Sequence, residues 1–284
     1  MGGRAATIVL TALAAAACAS TLQLRVPEGP SRPLAAPEAT ALFGQATTAC
    51  GGVRTLTAEV GLSGRVGTRR LRGRVLVGFE RSGSLRLEAP APFGAPVFIL
   101  AARGNQSVVW FPRDKRVLRD AAVADVLEAL TGMRRNVDDL LALLTGCLVS
   151  EHLASEESVV KRFESGWLAV PFSSGVEAFL RSDGKQWRIV GGRSSGRGSG
   201  GGERAMEPWV VAYDDFAAGF PGRVRMSQGS TTDATFRVSQ LEANTPIDPA
   251  AFTLTVPANA APMSLDELRQ MGPLADVAPG RGSH

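Results

Sequence analysis

The chain has 284 residues, 44% hydrophobic and 20% charged, which is the composition of a folded globular protein and excludes a disordered one. Its net charge is only +4, and Lys stands only at 115, 161 and 185, so the cations are almost all Arg, a bias of base composition more than of function. Two His and one Tyr leave little for acid–base catalysis or imidazole metal ligation.

In chain order, Met1 to Arg4 is a short positive segment, and Ala5 to Ala17 is an apolar run too short to cross a bilayer but right for a secretion signal. It ends in small residues directly before Cys18, an arrangement that resembles a bacterial lipobox, with Ala15 where Leu is usual. Cys18 is therefore expected to carry a lipid anchor; the alternative is a plain signal peptide cut near Ala17. Ala19 after the Cys resembles the outer-membrane sorting class. Pro-rich residues 18–37 form the tether. With Cys18 so used, Cys50 and Cys147 remain, either as a disulfide or as two buried thiols; an oxidising compartment permits the first.

A helix is expected from Glu38 to about Cys50, where Leu42, Ala46 and Cys50 recur every four residues. From Arg54 the period becomes two. In the segment 69–79, Leu71, Val75, Val77 and Phe79 alternate with Arg70, Arg72 and Arg74, which predicts a half-buried strand with one wet face. Strands at 85–88, 96–103 and 105–111 follow. Two helices then interrupt the strands. The first shows Val123, Val126, Leu127 and Leu130 on one face, with Asp120 as candidate cap and Gly132 as stop. The second is capped by Asn136, carries Val137, Leu140, Leu141 and Leu144, and ends at Gly146. Strand patterning returns at 159–163, 166–171, 176–181, 186–190, 209–213, 223–226, 234–241 and 252–256. The Gly- and Ser-rich run 191–202 reads as a loop and lacks the Gly-Lys-Ser/Thr ending of a phosphate loop. Ser264 and Glu267 make a capping box for one helical turn before an irregular tail.

No catalytic constellation emerges. His152 and His284 lack an orienting acid, and HExxH, clustered Cys/His and GxSxG are absent. Neither an enzyme nor a cofactor or metal is expected. Nucleic acid is not expected either: an exported chain does not meet it, and no aromatics interleave the arginines at 69–74.

Three stretches carry a family resemblance. The run Leu85-Arg86-Leu87-Glu88-Ala89-Pro90-Ala91-Pro92-Phe93-Gly94-Ala95-Pro96 resembles the strand–Pro-apolar-Gly–strand element of LolB, the outer-membrane lipoprotein receptor. Leu130-Thr131-Gly132-Met133 with Leu140 to Gly146 is similar to that family's paired helices, and Gln240 to Leu254 resembles the closing strands of the wider LolA/LolB-like group. The resemblance spans residues 38–262, leaving 1–17 as signal, 18–37 as lipidated tether and 263–284 as helical turn and tail. It implies a mainly β fold with helices, an unclosed, strongly curved antiparallel β-barrel whose helices lid the concave face. It implies a cavity for acyl chains, and the lining candidates are Phe79, Leu85, Leu87, Trp110, Leu127, Leu130, Leu140, Leu141 and Leu144. It also implies that Phe93 protrudes and touches the membrane. The partners it implies are lipid or lipoprotein acyl chains, the membrane through the N-terminal anchor, and a periplasmic carrier protein. The expected form is a monomer at the periplasmic face of the outer membrane, acting as carrier or receptor; the alternative is a non-enzymatic sensor or assembly accessory on the same fold. The chain departs from the family in extra length at 191–206 and in Arg134-Arg135 between the helices.

Overall fold

A computed structural model describes residues 26–81, 83–148, 159–172, 174–196, 207–272 and 274. The signal and Cys18, His152, the second half of the Gly-rich run from 197 onward, and the tail from 275 onward lie outside the described residues.

The elements begin with β1 (Ser31–Pro33), α1 (Ala36–Gly51), β2 (Thr55–Val66), β3 (Arg69–Glu80), β4 (Ser84–Ala89), β5 (Phe98–Arg103), β6 (Gln106–Phe111) and β7 (Arg116–Ala122). Helices α2 (Val123–Thr131) and α3 (Val137–Thr145) follow. The second half comprises β8 (Lys161–Phe163), β9 (Trp167–Pro171), β10 (Val176–Ser182), β11 (Trp187–Ser194), β12 (Trp209–Ala217), β13 (Phe220–Gln228), β14 (Thr232–Ala243), β15 (Ala261–Pro262) and α4 (Leu265–Met271). The strands form one sheet in the order β1-β8-β9-β10-β11-β12-β13-β14-β2-β3-β4-β5-β6-β7-β15. Every pairing is antiparallel except that of β15 with β7, and the two end strands do not pair with each other. The result is a curled, unclosed sheet.

The alternation of β2 and β3 fixes which way the sheet curls. Leu56, Ala58, Val60 and Leu62 stand opposite Phe79, Val77, Val75 and Gly73, and the apolar members of both sets are buried. Arg70, Arg72 and Arg74 point to the other face and are exposed. Burying a Leu, Val or Phe gains about 1.5–3 kcal/mol each, so a slip of one residue would forfeit this whole row and the register is firmly set. Registers carry the same face onward: Leu85 opposite Phe79, Leu87 opposite Val77, Phe98 opposite Ala89 and Val109 opposite Leu100.

Helices α2 and α3 lie on the concave side. Asn136 caps α3 by accepting the Asp139 N–H at 2.7 Å. Asp120 does not cap α2; it has φ 57° inside β7, and the chain enters the helix directly from the strand through Ala122. The β7 strand escapes a periodicity reading because arginine and aspartate stand between its apolar residues. Gly132 ends α2 with φ 75°, and a Cβ there would lie 2.3 Å from Val66 Cγ1, so this glycine lets the helix end close onto the rim of β2. In α1, Ala39 and Phe43 join Cys50 on the buried face, while Leu42 and Ala46 are only partly buried. Cys50 at the end of α1 and Cys147 just past α3 form a disulfide, with Cα atoms 5.6 Å apart.

Two segments depart from the sequence expectations. Gly191 to Ser194 are not loop but the end of β11, paired with Trp209–Ala212 of β12. Composition hides this because Gly192 is there for close approach: a Cβ would meet Leu148 Cδ2 at 2.2 Å and the Glu177 carbonyl at 2.8 Å. Residues 252–256 are not a strand. Asp248 caps a 3₁₀ turn at Pro249–Phe252, which sits on the outer face of β4 and β5, where Arg86 and Arg103 donate to the carbonyls of Ala251 and Pro249 at 3.0 Å. Finally, Met263, Leu268 and Leu274 are buried in the core, α4 packs on α2, and the Arg72 N–H donates to the Leu274 carbonyl beyond the end of β4. The capping box of Ser264 and Glu267 forms as its residues suggest.

Candidate functional site

Between the sheet and the helix pair lies an apolar cavity. Strand β3 contributes Val75, Val77 and Phe79; β2 contributes Val60 and Leu62; Leu87, Phe98 and Phe236 come from β4, β5 and β14. The lid contributes Leu127 and Leu130 from α2, Leu140 and Leu144 from α3, and Met133 from the turn between them. Leu274, beyond α4, lines the cavity too. Thr131 also borders it, but its Oγ1 donates to the Leu127 carbonyl at 2.6 Å, which turns the hydroxyl away from the interior.

Of about 590 Å³ between the lining atoms, the centre of a water-sized sphere fits in only about 50 Å³. One water needs roughly 10–15 Å³ by that measure, and benzene-sized ligands enter apolar cavities near 150 Å³. The space therefore holds a few methylene groups at rest, and an extended acyl chain enters only if the lid lifts.

The sequence-derived lining residues distribute as follows. Phe79, Leu87, Leu127, Leu130, Leu140 and Leu144 line the cavity. Leu85 and Leu141 are buried in the same core but do not border the open space. Trp110 is a correction: it pairs with Ile99 on the outer face of the sheet, half-buried, while its neighbours Val109 and Phe111 face the core. Strand alternation puts it there, because a period of two sends adjacent residues to opposite faces.

The two arginines between the helices behave differently. Arg134 points outward and pairs with Asp125 and Glu128 of α2. Arg135 turns inward: it is 9% exposed, stacks over the Trp209 ring at 4.9 Å, and is the one charged residue lining the cavity among the described residues. Burial lowers its pKa from the ordinary guanidinium value; the nearby Asp139 and Tyr213 oppose that shift. Its Nη2 has no hydrogen-bond partner. Tyr213 on β12 is buried beside it, and burial raises the phenol pKa despite the Arg135 charge. The Leu148 N–H lies toward this phenol but is bonded to the Ala142 carbonyl at 3.2 Å, and the Tyr213 hydroxyl has no partner either. Each orphaned buried polar group costs about 1–3 kcal/mol. Sequence reading marked the arginine pair as a departure but not which one turns inward; the signal it left unused was the acids Asp125 and Glu128, the third and sixth residues of α2, which pair with Arg134.

Phe93 sits at the tip of the loop between β4 and β5 and is 89% exposed. Arg113 donates to the Phe93 carbonyl at 2.7 Å and to the Ala95 carbonyl at 3.1 Å, so the projecting tip is tied from behind.

No protein-family model matches the chain, and no curated protein matches it. Solved structures with a similar fold include a LolA superfamily protein from Nitrosomonas europaea (12% identity, TM-score 0.43, covering 75% of this chain and 96% of that one). A DUF1329 family protein from Desulfovibrio piger is similar at 13% identity and TM-score 0.41, over 75% of this chain and 96% of the other. The lipoprotein LppX from Mycobacterium tuberculosis follows at 14% identity and TM-score 0.33, over 75% and 99%.

Proposed function

We propose that this chain is a non-enzymatic lipid-binding protein of the bacterial envelope, anchored through Cys18 at the periplasmic face of the outer membrane, that carries or receives acyl chains in the lidded cavity. The cavity itself carries the reading. A core built only for stability closes on itself, whereas here two short helices and the Leu274 segment cover an unclosed sheet along a seam that is apolar except for Thr131 and Arg135. Transfer of an acyl chain needs no bond chemistry, only burial at roughly 25 cal/mol per Å² of apolar surface. The exposed Phe93 supplies a membrane-facing tip next to the same β4–β5 hairpin that lines the cavity.

The small resting volume favours a second reading, a sensor or assembly accessory that uses the fold without cargo. Organic extraction of the protein purified from its native envelope separates the two. Carrier function predicts near-stoichiometric acyl lipid beyond that attached to Cys18; a lipid-free protein would support the accessory.

A further inference from the structure

We infer that Arg135 and Tyr213 form a headgroup site at one end of the cavity, a receptor for the carboxylate or phosphate of an anionic amphiphile whose chain lies along Phe79, Leu140 and Leu144. The inference rests on the lipid-binding reading above and specifies its ligand class. Its ground is the pairing of two buried atoms able to donate, the Arg135 Nη2 and the Tyr213 hydroxyl, neither of which has a hydrogen-bond partner. A guanidinium that served packing alone would be met by paired oxygens, as Arg193 is by Glu177 and Arg225 by Asp214 on the outer face. Arg135 is instead held by the Trp209 ring below it, an arrangement that fixes the plane of the guanidinium and leaves an edge for a planar or tetrahedral oxyanion. Asp139 adds a negative charge nearby, which keeps the guanidinium charged in a dry site. The cavity wall beyond Arg135 is apolar, and Tyr213 is buried beside that guanidinium without itself lining the open space, so a ligand that reaches both would meet two donors at its head and hydrocarbon contact along the rest, the polarity pattern of a fatty acid or a lysophospholipid.

The test uses the full chain made soluble by Cys18→Ser and titrated calorimetrically with palmitate, palmitoyl lysophosphatidate, methyl palmitate and inorganic phosphate, each below its micellar limit. The wild-type cavity is expected to bind one or both anionic amphiphiles at least tenfold tighter than methyl palmitate, and phosphate alone weakly or not at all. Which anionic amphiphile wins identifies the head as carboxylate or phosphate. Arg135→Met should erase the preference, so that the anionic amphiphiles bind no tighter than methyl palmitate does to the same variant. Tyr213→Phe should weaken anion binding several-fold without lowering the melting temperature, a split that a packing role does not produce. Equal wild-type affinity for palmitate, lysophosphatidate and the neutral ester, or retention of the preference in both variants, would overturn the headgroup site while leaving the lipid-binding reading intact. Binding of inorganic phosphate as tight as that of the amphiphiles would also overturn it, because the site would then be a free-anion site. Failure of the wild type to bind any amphiphile would sink both.

Discussion

At the scale of single residues, the distinction that matters is between side chains the fold consumes and side chains it leaves over. Phe93 is left over: three prolines between positions 90 and 96 deny the loop ladder donors, and Arg113 ties the tip from behind. Phe93→Glu should therefore leave the melting temperature unchanged, where a charged core Phe would lower it by several degrees, and should cut delivery of bound lipid to liposomes. A drop in stability with unchanged delivery per folded molecule would show the ring to be structural. Cys18→Ala should move the protein from the membrane to the soluble envelope fraction, since attached acyl chains supply the anchoring affinity; a variant that still pellets after a high-salt wash would show another anchor. Phe93 was legible in sequence because prolines and glycine bracket it. The inward turn of Arg135 was not, because it depends on Asp125 and Glu128 drawing Arg134 outward, a choice made only once α2 and the turn are placed.

At the scale of elements, α2 and α3 differ in how firmly they are held. The Cys50–Cys147 bridge ties the end of α3 to α1 across 97 residues of chain. By loop-closure entropy such a bridge stabilises by roughly 4–5 kcal/mol, and native bridges typically contribute about 2–5. Reduction, or Cys147→Ser, should lower the unfolding free energy within that range in urea melts; a change below about 0.5 kcal/mol would mean the bridge closes no loop that packing has not already closed. Helix α2 leans instead on α4, whose capping box also receives Arg116 at 2.7 Å through Glu267. The Ser264 backbone N–H, the Arg116 guanidinium and the Ser264 hydroxyl hold the Glu267 carboxyl down to about 2, below its ordinary 4.5. The folded state thus favours the ionised form, so the stabilisation is complete above the ordinary value and is lost as pH falls from 4.5 through 2. Wild type should exceed Glu267→Ala in melting temperature by a constant margin above about pH 5, and the margin should close across that acid window. A margin that survives at the acid end would show that the carboxylate charge is not what seats α4. The helices were readable from 3.6-residue periodicity and their Asn136, Gly132 and Gly146 signals, and β2–β6 from alternation. Strand β7, the glycine end of β11 and the 3₁₀ turn were not, because ladder pairing, close approach and outer-face packing decide them.

At the scale of the whole molecule, an unclosed sheet with a lid of two nine-residue helices makes burial conditional. The resting cavity is nearly filled by its own side chains, so ligand must replace contacts between lid and sheet with contacts to hydrocarbon, at little net change in apolar exposure. Leu144 on α3 stands at that seam, and Leu144→Asp should abolish binding of a fluorescent fatty acid, since it sets a charged group where the hydrocarbon would lie and offers Arg135 a rival to the ligand's own carboxylate. Strand alternation interrupted by a helix pair made the elements foreseeable, while the curled sheet and its lid were expected only from the family resemblance. The closure of the cavity by Leu274 was not, since one leucine after a glycine and a proline has no period to betray it. Lipid binding beneath the lid is tested most directly by photo-crosslinking a diazirine-bearing fatty acid to the full chain and mapping the modified peptides by mass spectrometry. Saturable labelling within β3 and α3, at or beside Val75, Phe79, Leu140 and Leu144, is the expected result; labelling confined to Phe93 and the outer face, or labelling that never saturates, would contradict it.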